Sequence, residues 1–81
     1  MVYSVTTSPT FANWADGLTI VLRASGASAG GDTLSLNGAT AVPILQYSSS
    51  SISNPVAANA ILAGGLYLLI WDASQKAWIL T

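Results

Sequence analysis

The sequence predicts a small all-β domain, either an antiparallel β-sandwich or a barrel, that covers part of its apolar surface with further copies of itself. Three observations indicate this: short β-branched and apolar runs alternate with turn residues, the chain has only 81 residues, and charge is scarce. Apolar residues make up 52% of the chain and charged residues 6%, whereas soluble domains contain about 25% charged residues. The absence of cysteine and histidine excludes disulfides and the usual zinc sites. Oligomerisation is the remaining common way to stabilise so small a core.

Four strands are predicted in the first half of the chain: Val2 to Thr7, Leu18 to Ala24, Asp32 to Asn37 and Ala41 to Tyr47. Ser8-Pro9-Thr10 ends the first strand, and the small residues of Ser25 to Gly31 form a loop between the second and the third. Asn37-Gly38 is a hairpin signal, because the glycine supplies the positive φ that such a turn requires. Pro43 has no N–H to donate, so it is expected at a sheet edge or a bulge.

In the second half of the chain, the sequence predicts one hairpin and two connecting segments. Gly65 to Asp72 and Gln75 to Leu80 form the hairpin, whose turn is held by side-chain hydrogen bonds of aspartate and serine. Ser48 to Asn54 is a polar loop. Pro55 to Ala63 is open to two interpretations, since its alanines permit one or two turns of helix but a short strand and a turn fit equally well.

Two of the predicted strands are apolar at nearly every position, Leu18 to Leu22 and Leu66 to Trp71. Such runs are typical of strands that are covered on both faces. The sequence predicts too little helix to cover the second face of these strands. Another subunit, or closure of the sheet into a barrel, could cover that face. The residues expected at an oligomer interface are Leu18, Ile20, Leu22, Leu66, Leu68 and Ile70.

Composition also excludes several classes of partner. A formal net charge of −1 offers nothing to attract a phosphate backbone, so no nucleic acid is expected as a ligand. The longest apolar run, Ala60 to Trp71, is interrupted by Gly64-Gly65 and is shorter than the ~20 residues of a spanning helix, so no membrane insertion is expected. No signal peptide is expected at Met1-Val2-Tyr3, because neither a basic nor an apolar region follows.

A longer pattern runs through most of the chain. Thr33 to Ile44 reads TLSLNGATAVPI, and Gly17 to Leu22 (GLTIVL) precedes it. Gly64 to Asp72 (GGLYLLIWD) and Trp78 to Leu80 (WIL) follow it. In this order and spacing, over about residues 17–80, the chain resembles a module that recurs in bacteriophage tail fibres and related prophage tail proteins. It departs from that pattern at Ala39-Thr40, where many such modules carry glycine, and in its final hairpin turn, which lacks glycine.

The resemblance implies a compact β-sandwich or barrel-like knob that packs as a homotrimer within or near the tip of a virion fibre. Residues 1–81 then form a single domain, with an N-terminal strand and turn segment over 1–16 and the knob module over 17–80. The implied role is in trimer assembly and in attachment to a host-surface receptor, with a glycan as the expected ligand and other tail or fibre proteins as partners. Two alternatives stay open: a trimerisation or connector module without receptor contact, and a monomeric carbohydrate-binding module.

Aromatic side chains are the strongest candidates for binding chemistry, since sugar rings stack on the faces of Trp and Tyr. Trp71, Tyr67 and Trp78 lie in predicted strands and are expected in the core. The candidate ligand-binding residues are Trp14, in a turn region, and Tyr47, Ser49, Ser50 and Asn54, in and beside the serine-rich loop. A receptor-binding domain is expected to expose Trp14 or Tyr47, whereas a connector buries both.

No catalytic residue, metal or cofactor is expected. A serine nucleophile needs a base, and only Lys76 could take that role. Asp16, Asp32 and Asp72 lie beside turn residues, where aspartate commonly caps the backbone, although a glycan-cleaving pair among them is an enzymatic alternative. A cation held by one aspartate from each chain on a threefold axis is a further alternative.

Overall fold

The structure is a computed structural model that describes residues 1–6, 14–47 and 54–81. As predicted, the chain is all-β: these residues hold seven strands and no helix. The strands are β1 (Val2–Val5), β2 (Thr19–Arg23), β3 (Thr33–Leu36), β4 (Val42–Gln46), β5 (Asn54–Pro55), β6 (Leu66–Asp72) and β7 (Ala77–Leu80). The described ranges therefore contain no helix long and apolar enough to cross a membrane.

The strands form one nearly closed, barrel-like sheet in the order β1-β3-β4-β7-β6-β2, and β5 pairs with β4 beside this path. Across the gap between the two edge strands, the Tyr3 hydroxyl of β1 donates a 2.8 Å hydrogen bond to the Gly26 carbonyl that follows β2. Of the two predicted arrangements, the barrel-like one is observed and the antiparallel sandwich is not, because β1 runs parallel to β3 and β4 runs parallel to β7 in one mixed sheet. Both parallel pairs join strands that are distant in the chain, and such pairs are not connected by the tight turns that hairpin signals reveal.

The hydrophobic core fills the inside of this sheet. Because side chains alternate along a strand, every second residue enters it. The large apolar side chains of this core that are almost completely buried are Tyr3, Leu22, Leu34, Leu36, Ile44, Val56, Ile61, Leu69 and Trp78. Ile79 is also buried, but it belongs to a smaller cluster with Leu45 and Ala77. Trp14 packs against the core beside Trp71 and Trp78, with ring centroids 4.8 to 5.5 Å apart.

The apolar runs of β2 and β6 bury one face in the core, not two. Ile20 and Leu22 of β2 and Leu69 and Trp71 of β6 are buried, while the residues between them point outwards. The expected interface role of three β2-side residues is corrected accordingly. Ile20 and Leu22 lie within the chain's own core, and half-buried Leu18 packs against it. The physical reason is that successive side chains of a strand point to opposite faces, so the odd-numbered residues of β2 lie on the outer face.

The hairpin between β3 and β4 turns at Asn37 and Gly38. Both residues have positive φ, 53° and 77°, and the Ala39 N–H donates to the Leu36 carbonyl at 3.0 Å. These are the central residues of a two-residue turn of the kind that matches the twist of paired strands. Pro43 is exposed at the point where β4 leaves β3, and the residues that follow it pair with β7.

The small-residue loop between β2 and β3 is anchored rather than loosely attached. Ser28 is 3% exposed, and its hydroxyl donates to the Ala57 carbonyl at 2.7 Å and accepts from the Ile61 N–H at 3.1 Å. The segment it contacts is the one with two interpretations, and it forms the short strand β5 followed by turns. Loop and segment therefore support each other through a buried serine.

Candidate functional site

An exposed apolar surface lies on the outer face of β2 and β6. Leu66 and Leu68 are 60% and 50% exposed, and Val21 is 55% exposed. Val21 and Leu68 are cross-strand partners, so the three side chains are neighbours on one surface. We call Val21, Leu66 and Leu68 the apolar strip.

The same face of the sheet forms a cleft of about 560 Å³ further along β6. The cleft is lined by Asp16, Gly17, Tyr47, Ile70, Trp71, Asp72, Ala73, Ser74 and Ile79. Half-buried Ile70 of β6 supplies its apolar floor, and its cross-strand partner Ile79 on β7 lies almost completely buried beside it. Tyr47, which follows β4, stands on one side and Gly17, bound to Trp71 by a 2.9 Å backbone hydrogen bond, stands on the other. Its volume lies within the roughly 300–1,000 Å³ that small-molecule sites occupy.

Hydrogen bonds fix the polar end of the cleft, which is the turn between β6 and β7. Asp72 Oδ1 accepts from the Ser74 N–H at 3.0 Å, from the Ser74 hydroxyl at 2.8 Å and from the Gln75 N–H at 3.1 Å. Asp16 Oδ1 accepts from the Ala73 N–H at 2.9 Å. Two segments that are more than fifty residues apart in the chain are thereby held together at the rim of the cleft.

The charged side chains lining the cleft are both acidic, Asp16 and Asp72. Hydrogen bonds from the Gln75 side-chain amide and the Ser74 hydroxyl, followed by the Gln75 backbone N–H, lower the pKa of Asp72 below its ordinary value. Asp72 is therefore ionised at neutral pH. In residues 1–6, 14–47 and 54–81, no three His, Cys, Asp or Glu side chains come together as a metal site would require.

The sequence-predicted binding residues are not all brought together. Tyr47 lines the cleft and is 57% exposed. Trp14 is half-buried and packs on the other tryptophans, and Asn54 pairs with Gln46 in the β5–β4 ladder. Neither of these two lines the cleft. Ser49 and Ser50 lie outside the residues that the structure describes.

The predicted interface residues divide in a similar way. Leu66 and Leu68 are exposed in the apolar strip, whereas Ile70 is half-buried on the floor of the cleft. Val21 completes the strip and was not singled out from the sequence. The alternation of β2 could have identified it, because Val21 lies between the two residues that enter the core.

Asp16 and Ser74 are the cleft residues that sequence reasoning did not connect with Tyr47. Their proximity depends on the pairing of Gly17 with Trp71, a contact between distant parts of the chain. No local motif encodes that contact. A turn-forming role for aspartate was foreseen, and both acids of the cleft do hold backbone N–H groups.

A comparison with protein-family models, curated proteins and solved structures finds no match to this chain.

Proposed function

We propose that this chain is a non-enzymatic, self-associating attachment module of a bacteriophage tail fibre or a similar virion appendage. It works as a homotrimer, joins other fibre proteins and contacts a host-surface glycan. The observation that carries the proposal is the apolar strip. The resemblance of residues 17–80 to tail-fibre modules supplies the threefold arrangement and the location in the virion.

The apolar strip supports self-association because it is exposed among the residues that the structure describes and cannot turn into the core. Leu66 and Leu68 have the opposite parity to Leu69 and Trp71 of the same strand, so they cannot enter the core without turning those residues out. Exposed apolar side chains in a group mark interaction surfaces. A chain with only five charged residues has little polar surface to offset such a group, and packing against identical copies covers it.

Exposure of Tyr47 supports receptor contact over a pure connector. A connector is expected to bury both candidate aromatics, and Tyr47 is 57% exposed at the edge of a cleft. Three such sites on one rigid trimer raise avidity through effective concentration, so each site can bind weakly. Repeated weak contacts of this kind support the proposed role in host attachment.

The test of the proposal is the effect of one charge placed in the apolar strip. Leu68→Lys should lower the mass in solution from three chains to the 8.3 kDa of one chain, because an ammonium group cannot be buried unpaired in an interface. Val21→Lys is a second variant with the same expected result, since Val21 and Leu68 are partners. Sedimentation equilibrium measures the masses, and circular dichroism verifies that each variant stays folded.

Leu62→Lys is the matched control, because Leu62 is 54% exposed and lies outside the strip. It should retain the mass of the unaltered protein. If both strip variants remain folded and keep that mass as well, the strip is not the contact surface and the proposal loses its support.

A further inference from the structure

The geometry points to a neutral pyranose sugar as the ligand of the cleft, with sugars that carry a carboxylate or phosphate disfavoured. The inference rests on the attachment role proposed above and names its ligand class. It follows from three properties of the cleft: an exposed aromatic ring beside an apolar floor, acceptors held in place by the turn, and a charge of one sign.

The apolar part of the cleft suits the C–H face of a sugar ring. Tyr47 is 57% exposed on one side, and half-buried Ile70 lies between it and Gly17. The cleft extends from β4 across β7 and β6 to the segment before β2. This width is three strand spacings, roughly 14 Å, and accommodates one or two pyranose rings. A pyranose ring has one face of C–H groups and a rim of hydroxyls, so it can stack on the tyrosine and still reach polar groups at its edge.

The polar part of the cleft offers acceptors rather than donors. A carboxylate has about four acceptor positions, and among the described residues Asp16 uses one of them, for the Ala73 N–H. Asp72 already accepts four hydrogen bonds from Ser74 and Gln75, so it contributes negative charge to the cleft, and the free acceptor positions are those of Asp16. Hydrogen bonds from hydroxyls to carboxylates are charge-assisted and stronger than those between neutral groups. Sugar hydroxyls are donors that fit such an arrangement.

The charge of the cleft decides between classes of sugar. Asp16 and Asp72 are the charged residues that line it, and none of the described cations (Arg23, Lys76 and the α-ammonium group of Met1) is among the lining residues. The guanidinium of Arg23 instead donates to the Gly64 carbonyl at 2.9 Å. An acidic sugar would bring a third negative charge into the cleft without a cation to pair with it. Neutral hexoses, and sugars with a free amine, avoid that cost.

The test is a titration of the intact, ¹⁵N-labelled protein with matched pairs of methyl glycosides, followed by NMR chemical shifts. Each pair is a methyl hexopyranoside of the gluco, galacto or manno series and the corresponding methyl hexuronate, which differ only at C6. At least one neutral glycoside should shift the amide signals of Asp16, Tyr47 and Ser74, with a dissociation constant on the order of millimolar. Its uronate should bind roughly tenfold more weakly at pH 7.

Variants assign the binding to the cleft. Tyr47→Ala should abolish the chemical-shift changes. Asp16→Asn should weaken the binding of the neutral sugar roughly fivefold and reduce the difference in affinity between the neutral sugar and its uronate. Asn retains an oxygen for the Ala73 N–H, so the turn is preserved. Leu62→Ala, at an exposed apolar position outside the cleft, should leave binding unchanged.

Three results would overturn the inference: no neutral glycoside shifts the cleft signals, uronates bind as well as their neutral partners, or Tyr47→Ala binds normally. None of them affects the masses measured by sedimentation. A protein that is trimeric yet fails this test retains its assembly role and loses only the neutral-sugar site, whereas a monomeric protein that passes it keeps the site and loses the trimer.

Discussion

Asp32 is a fully buried carboxylate in a chain that has only three acidic residues. Its oxygens accept hydrogen bonds from the N–H groups of Ala29 and Gly30 at 2.8 to 3.2 Å, and Oδ2 lies 3.1 Å from the α-ammonium group of Met1. Burial alone would raise the pKa of Asp32, but the ammonium group and the two backbone donors outweigh it and lower the pKa. The residue holds the loop before β3 together with the start of β1.

Asp32→Asn should therefore destabilise the protein by about 2 kcal/mol, because an amide oxygen replaces a charge-assisted acceptor. Since the folded pKa is lowered, the stabilisation by Asp32 is complete above the ordinary pKa of 3.8 and is lost as pH falls through the lower folded value. Between about pH 5 and pH 2, the free energy of unfolding should therefore fall less for the variant than for the unaltered protein. Urea unfolding over this pH range, at one protein concentration, measures both effects.

Asp16→Asn is the control for that experiment, because Asp16 is exposed and asparagine keeps an acceptor for Ala73. Its stability at pH 7 should change by less than about 0.5 kcal/mol. An Asp32→Asn protein as stable as this control would mean that the buried carboxylate does not anchor the loop.

Trp14 was a candidate ligand platform in the sequence, but its contacts assign it a packing role. It lies 4.8 Å from Trp71 and 5.5 Å from Trp78, measured between ring centroids. The Trp78 indole N–H is buried without a hydrogen-bond partner among the described residues, so the packing of this cluster has to offset an unpaired donor.

Trp14→Ala should cost about 2–3 kcal/mol of stability, since it removes a half-buried ring from an aromatic cluster. Tyr47→Ala, the loss of an aromatic ring that is 57% exposed, should cost less than about 1 kcal/mol. Urea unfolding followed by circular dichroism compares the two. Equal losses would contradict the division into a packing ring and a binding ring.

Among the elements, the strands and tight turns were predictable from the sequence because their signals are local. The turn at Asn37 and Gly38 and the hairpin of β6 and β7 depend on neighbouring residues only. The parallel pairs β1–β3 and β4–β7 were missed, since their partners are distant in the chain and no turn links them. The two-residue strand β5 was one of two alternatives for its segment, because the alanines there favour a helical turn and tertiary contacts overrode that local preference.

The face pattern of β6 shows why composition alone was insufficient. The run from Leu66 to Trp71 lacks the alternation of polar and apolar residues that distinguishes the inner face of a strand from its outer face. The sheet closes over Leu69 and Trp71 and leaves Leu66 and Leu68 outside. The sequence likewise predicted only part of the candidate site. Tyr47 was identified as a binding residue, but the acidic residues on the other side of its cleft were not.

The turn between β3 and β4 provides a prediction at the scale of elements. Gly38→Ala should destabilise the protein by about 1 kcal/mol, because φ at this position is 77° and a Cβ atom is strained there. No atom lies within 4 Å of the position that the new Cβ would occupy, so the cost is conformational and not a clash. Thermal unfolding measures it, with Thr40→Ala in the same exposed loop expected to change stability by less than about 0.5 kcal/mol. An equal midpoint for the two variants would contradict this account of the turn.

At the scale of the whole molecule, the small number of charged residues and the apolar strip both favour self-association. The nearly closed sheet of the single chain surrounds the main core, yet three large apolar side chains are exposed together on its outer face. The cleft lies on that face too, separated from the strip only along the length of β6. Association through the strip would thus set several clefts at fixed distances from one another, the arrangement that multivalent attachment requires.

The mass of the unaltered protein in solution tests this account most directly. Sedimentation equilibrium over a range of concentrations should give three times the chain mass of 8.3 kDa, with dissociation only on dilution. A mass of one chain at every concentration, for a protein that circular dichroism shows to be folded, would contradict it.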